Sequence, residues 1–157
     1  MANKNLVGRC GLYCGYCSIY RAYKDGGKFR EEVAKRNNCR LEDVKCEGCQ
    51  TIGDDSWSQE EKWGKNCKIL RCLNAKKNRF CYECNEYATC QKYDEFAKLC
   101  LLINVDVRKN MQTIEEGKTE EWLMKQEKKW RCSKCGNPVA NSVEVDDCHW
   151  CGHKLRK

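Results

Sequence analysis

Cysteine constrains this chain more than any other residue type: sixteen of its 157 residues are cysteine, and fourteen of them fall into six closely spaced sets. The sets are Cys10/Cys14/Cys17, Cys46/Cys49, Cys67/Cys72, Cys81/Cys84/Cys90, Cys132/Cys135 and Cys148/Cys151. No histidine precedes His149, so sites built upstream of it draw nearly all their ligands from sulfur. A disulfide framework would require an oxidising compartment. Met1 to Cys10 contains no apolar stretch of signal-peptide length, and the longest apolar run, Leu99 to Ile103, is far below the roughly 20 residues of a membrane span. The expectation is a cytoplasmic chain, without a membrane segment, whose reduced thiols bind metal.

Composition supports that expectation from the energetic side. Hydrophobic residues make up 41% and charged residues 34%, so an ordinary apolar core would be thin. A structural zinc ion contributes on the order of 10 kcal/mol of folding free energy, comparable to the net stability of a typical domain. The formal charge of +7 suggests nucleic acid, but it counts each thiol as neutral. Four thiolates around one zinc carry a net charge of about −2, so four such sites would bring the chain to about −1 and three to about +1. Only local basic segments, Lys76-Lys77-Asn78-Arg79 and Lys154-Leu155-Arg156-Lys157, keep a nucleic-acid partner in consideration.

The C-terminal pairs carry the sharpest signal. Cys132-Ser133-Lys134-Cys135-Gly136 and Cys148-His149-Trp150-Cys151-Gly152 are two copies of C-x2-C-G, with twelve residues between Cys135 and Cys148. A two-residue gap lets both sulfurs of a tight turn meet one ion, and two such knuckles close a tetrahedral site with no open coordination position. That pattern predicts structural zinc, with a rubredoxin-like iron site as the competitor. Val139 to Val145 reads as a strand and turn between the knuckles, and His149 and His153 read as surface residues.

Cys10, Cys14 and Cys17 are spaced C-x3-C-x2-C, which also resembles the cluster motif of radical S-adenosylmethionine enzymes. Those enzymes build a barrel of strand–helix units after the motif, whereas here more cysteines follow and strand signals are few. Cys46, Cys49, Cys67, Cys72, Cys81, Cys84 and Cys90 bring this region to ten candidate metal ligands. Their pairing is not readable from spacing, and all-thiolate sites suit zinc and iron–sulfur clusters alike. Cys100, flanked by Leu99 and Leu101, reads as a buried inert thiol; Cys39 stays open as a ligand.

Between Cys100 and Cys132 there is no cysteine, and this gap sets the expected organisation: residues 1–104 a cysteine-rich metal-binding domain, 105–129 a helical connector and 130–157 a zinc ribbon. In the connector, Met111, Ile114, Trp122, Leu123 and Met124, with Trp130 beyond it, form an apolar stripe, and Gly117 separates two short helices, the second capped by Thr119. Upstream, Lys28 to Arg36 reads as a helix with Phe29 and Val33 inward, and Tyr93 to Ile103 as another. The fold class expected is small and metal-stabilised, mainly α with short β knuckles: an irregular cysteine-rich N-terminal domain plus a zinc ribbon.

The ordered series Cys10-Gly11-Leu12-Tyr13-Cys14-Gly15-Tyr16-Cys17, Cys46-Glu47-Gly48-Cys49, Cys67-Lys68-Ile69-Leu70-Arg71-Cys72 and Phe80-Cys81-Tyr82-Glu83-Cys84 resembles the family called domain of unknown function 3795. The likeness covers roughly residues 8 to 104, with Ala88-Thr89-Cys90 standing where that family has Pro-Cys. The resemblance implies a zinc-binding fold followed by a terminal ribbon, without an assigned reaction. The leading expectation is therefore a non-catalytic zinc protein with several ions, acting on a protein partner. The alternatives are an iron–sulfur redox or small radical enzyme using Cys10, Cys14 and Cys17, and a nucleic-acid-binding zinc protein.

Overall fold

Cysteine and helix alternate along the chain. The computed structural model describes residues 2–59 and 63–155. Its helices are α1 (Ser18–Asp25), α2 (Gly27–Arg36), α3 (Lys68–Lys76), α4 (Gln91–Leu101), α5 (Val107–Glu115) and α6 (Thr119–Lys129). The only sheet among the described residues pairs β1 (Ser58–Gln59) with β2 (Trp63–Gly64), antiparallel, in the register Ser58 to Gly64. Short 3-10 turns at Cys14–Tyr16, Cys49–Thr51, Cys81–Glu83 and Tyr87–Thr89 carry or lead into the cysteines. The molecule is mainly helical with little strand, as the sequence predicts.

Each helix buries one face. On α1, Ile19, Tyr20 and Ala22 turn inward; on α3, Ile69, Leu70 and Leu73 do so, and Lys77 ends that helix in a left-handed conformation. Helix α2 buries Phe29 and Val33, as their spacing requires. At the start of α5 the Asp106 carboxylate accepts the amide of Lys109 at 3.0 Å, a side-chain cap for an orphan helix donor. Helix α6 begins at Thr119, so the capping position falls to Lys118 and the expected threonine cap is not formed. Acidic Glu120 and Glu121 still face the positive end of its dipole.

Two larger apolar cores form among the described residues, beside a small third cluster of Cys132, Val139 and Cys148. The larger joins Ile69 and Leu73 of α3, Tyr93, Phe96 and Cys100 of α4, Val107, Met111 and Ile114 of α5, and Trp122 and Leu123 of α6 to Leu6, Val7, Tyr13, Tyr16 and Tyr20. Met111 and Leu123 are fully buried, each worth about 1.5–3 kcal/mol of transfer free energy. Met124 instead faces solvent, unlike the other apolar residues of its helix. Polar links tie α4 and α5 to the first cysteine loop: Tyr93 Oη donates to the Cys10 carbonyl at 2.9 Å, and Asn110 Nδ2 to the Gly11 carbonyl at 3.0 Å. Asn110 Oδ1 in turn accepts from Trp122 Nε1 at 3.1 Å.

The second core gathers Ile19, Ala22, Phe29, Val33, Ala34, Val44 and Trp57 with Ala140 and Val145. The last two come from the loop between the terminal knuckles, which forms the expected turn at Ser142–Val145, closed by the Val145 amide donating to the Ser142 carbonyl at 3.2 Å, but no strand. Asn141, buried beside them, receives order from both sides: its amide donates to the Tyr16 carbonyl at 2.9 Å and its Nδ2 to the Ile103 carbonyl at 3.1 Å. A strand would present alternate residues to opposite faces, whereas this loop spends Ala140, Asn141 and Val145 on docking. No described helix is long and apolar enough to cross a membrane.

Candidate metal centre

The two terminal knuckles fold alike because their sequences are alike. In each, the glycine amide donates to the carbonyl of the first cysteine, Gly136 to Cys132 at 2.9 Å and Gly152 to Cys148 at 2.8 Å. In each, the first cysteine's amide donates five residues ahead, Cys132 to the Asn137 carbonyl at 2.9 Å and Cys148 to the His153 carbonyl at 2.8 Å. Both glycines have positive φ, and single antiparallel bridges, Arg131 with Pro138 and Asp147 with Lys154, close the two loops.

These turns bring Cys132, Cys135, Cys148 and Cys151 together, with all four sulfurs within 4.8 Å of one another. The pairs across the knuckles, Cys132 with Cys151 and Cys135 with Cys148, are each 3.7 Å apart. A tetrahedral ion with metal–sulfur bonds near 2.3 Å places its sulfurs about 3.8 Å from one another. The four residues therefore fit a metal ion with at most a small closure of the remaining pairs, and the group is that of a zinc-ribbon-like site. The amides of Cys135 and Lys134 hold the Cys132 thiol down, to about 6, against a smaller opposing effect of burial. Burial pushes Cys148 up, to about 12.

Neither histidine joins this set. His153 Nε2 lies 3.2 Å from Ser133 Oγ. His149 is not the surface residue its position suggests: its side chain is 8% exposed and its Nε2 lies 2.8 Å from Asp25 Oδ2. Its ring also stacks on Phe29, with centroids 4.1 Å apart.

The N-terminal cysteines gather differently. All sixteen cysteines carry free thiols. Cys17, Cys67 and Cys90 occupy the N-cap positions of α1, α3 and α4, and burial raises the Cys17 thiol against the amides of Tyr20 and Ile19 that hold it down. Cys14 Sγ accepts the Cys49 amide at 3.4 Å, which joins the first cysteine loop to the Cys46–Cys49 knuckle. Burial raises Cys14 well above the ordinary thiol range, and the neighbouring Cys49, Cys17 and Cys46 add to it. Burial followed by Cys49, Cys81 and Cys67 does the same to Cys10. Cys46 is pushed up to about 12 by burial, then by Cys17 and Cys49. Crowded thiolates without a cation raise one another in this way, and a bound cation relieves the repulsion.

Cys72, Cys81, Cys84 and Cys90 line a separate cavity. The 3-10 turn at Tyr87–Thr89 delivers Cys90 to it without the proline expected there. Cys100 and Cys39 stand apart. Cys100 is 3% exposed and pushed up to about 12 by burial alone; Cys39 Sγ lies 3.7 Å from the Ala34 carbonyl and packs on the second core.

The grouping of Cys72 with the Cys81–Cys90 set, and the pairing of His149 with Asp25, are the features that sequence reasoning missed. Spacing offered a signal for neither, since Asp25 and His149 are 124 residues apart.

Comparison with known proteins gives one family. The model described as protein of unknown function (DUF3795) matches residues 6–95. No curated protein and no solved structure matches the chain.

Proposed function

Taking as premise that this chain belongs to the family of proteins of unknown function DUF3795, we propose that it is a zinc-binding, non-catalytic module that presents its surface to a protein partner in the cytoplasm. The observation that carries this reading is the convergence of the Cys132, Cys135, Cys148 and Cys151 sulfurs within 4.8 Å. Four thiolates fill the coordination sphere of zinc, leaving no position for substrate or activated water, so the ion holds structure. The free state of every thiol suits a reducing compartment.

A protein partner is favoured by the exposed apolar end of α4, where Leu99, Leu101 and Leu102 are 58%, 56% and 71% exposed. Adjacent exposed leucines of this kind mark interaction surfaces. Nucleic acid is less favoured, because Lys76 is engaged with Glu86 and Lys154 lies 3.0 Å from Asp147; Arg156 and Lys157 lie outside the described residues. The radical-enzyme alternative draws no support from the scaffold, whose described sheet is one two-stranded antiparallel pair and not a parallel barrel.

Anaerobic purification followed by elemental analysis and a visible spectrum tests the reading. Colourless protein carrying zinc is expected. A brown protein rich in iron and poor in zinc would overturn it.

A further inference from the structure

Cys72 lies inside α3, Cys81 opens a 3-10 turn that ends at Cys84, and Cys90 caps α4. These four thiols, which the terminal ribbon does not use, ring one cavity of about 40 Å³. A space of roughly 10–15 Å³ already admits a water molecule, and small-molecule sites begin at roughly 300 Å³. The cavity therefore has room for an ion and none for an organic cofactor.

Its wall is chemically selective. Apart from the sulfurs, the polar groups that line it belong to Lys76, Lys92, Tyr87 and Tyr93, with no carboxylate, imidazole or amide side chain among them. Thiolates alone select soft or borderline ions such as zinc or iron over magnesium and calcium. Lys76 Nζ sits 3.4 Å from Cys84 Sγ and is also engaged with Glu86, so it offsets only part of the net charge of about −2 that four thiolates keep after binding a divalent ion. The turn that holds Cys81 and Cys84 has C-x2-C spacing and is closed by the Cys84 amide donating to the Cys81 carbonyl at 3.1 Å.

We propose that Cys72, Cys81, Cys84 and Cys90 form a second closed four-cysteine site that holds one thiophilic divalent ion. The proposal rests on the metal-binding reading above, but concerns which thiols share an ion and not whether that ion is zinc. No three of these sulfurs lie within 4.8 Å of one another, as the terminal four do, so binding must draw the side chains inward across the cavity. The competing arrangement places Cys81 with Cys10, Cys49 and Cys67, since Cys49 also lies close enough to Cys81 to raise it, after burial and the nearer Cys90, Cys72 and Cys84.

The test is alkylation of the full, metal-loaded chain during graded removal of metal by a chelator, with each cysteine followed by peptide mass spectrometry and bound metal by elemental analysis. Cys72, Cys81, Cys84 and Cys90 should be protected together and become reactive in one step, with the loss of one ion per chain. The Cys81→Ser/Cys84→Ser double variant should carry one ion fewer while Cys132, Cys135, Cys148 and Cys151 stay protected. Release of Cys81 in step with Cys10, Cys49 and Cys67 overturns the proposal. So does free reactivity of the four thiols in protein whose terminal site is filled, an outcome that leaves the zinc reading standing. Joint protection of the four by iron sinks the zinc reading and leaves this grouping intact. The wild-type chain carries the decisive measurement, so misfolding of the double variant does not obscure the result.

Discussion

His149 Nε2 lies 2.8 Å from Asp25 Oδ2, with both side chains 8% exposed, and this contact fastens the terminal knuckles to the end of α1. Arg21 approaches the other oxygen of Asp25 at 3.4 Å, and Phe29 stacks on the imidazole. The histidine sits between two ligand cysteines in sequence, yet it serves docking and not coordination.

Replacing His149 by alanine removes the hydrogen bond and the stack while leaving all four sulfurs in place. The expected cost is about 2–3 kcal/mol of stability, the sum of a buried charge-assisted hydrogen bond and lost ring packing. The terminal ion should remain bound, while proteolysis near Asn141 becomes faster than in the wild-type chain. Denaturant unfolding, metal analysis and limited proteolysis check the three parts. Loss of the terminal ion in folded H149A protein would show that the ring helps to coordinate.

Metal binding at the terminal site should strengthen as pH rises. Cys132, held down to about 6, is largely thiolate at neutral pH. Cys148, up to about 12 because of burial, and Cys151, also raised, keep protons that an ion must displace. Each thiol proton displaced on binding adds about a tenfold gain in apparent affinity per pH unit. The sign for the metal-free fold is the reverse: the raised Cys148 adds stability below the ordinary thiol range and loses it as pH climbs toward about 12. Chelator competition at several pH values measures the slope, and a flat profile would refute it.

The terminal knuckles were legible because both ligands and turn geometry lie within five residues of sequence. The helical expectations over Lys28–Arg36 and Tyr93–Ile103 correspond to α2 and α4 within two residues at each end, and Gly117 does separate α5 from α6. Helices α1 and α3 were not anticipated: α1 follows directly on Cys17, and the first turn of α3 lies between Cys67 and Cys72, where those residues counted only as ligand spacing. In the loop Val139–Val145 the expected turn forms but the strand does not, for a different reason. Its β-branched residues suit a strand locally, but Ala140 and Val145 find more burial against Phe29 and Val33, and tertiary packing overrides local preference. The grouping of Cys72 with Cys81, Cys84 and Cys90 depends on how α3 lies against α4, which spacing does not encode.

Cys100 separates a packing thiol from a ligand. It is buried among the apolar side chains of the larger core, and burial alone raises it. Cys100→Ala should cost about 1–2 kcal/mol through the small void left behind and leave the number of bound ions unchanged. Elemental analysis and chemical denaturation together decide it; a lost ion would make Cys100 a ligand.

The turn that carries Cys46 and Cys49 depends on a glycine. Gly48 lies between them at φ +107°, and a Cβ there would come 2.3 Å from the Asn5 carbonyl oxygen. Two separate penalties follow from one added methyl group: a backbone conformation that L-residues avoid, and a clash with main chain that cannot rotate away. The clash would push the knuckle off the N-terminal turn at Lys4–Leu6 and break the hydrogen bond from the Cys49 amide to Cys14 Sγ. Gly48→Ala should therefore destabilise the chain by about 3 kcal/mol or more and expose Cys14, Cys46 and Cys49 to alkylation. The terminal knuckles form their own hydrogen bonds, so Cys132, Cys135, Cys148 and Cys151 should stay protected. Equal loss of protection at both ends of the chain would show that the terminal site depends on the N-terminal cysteines for its folding.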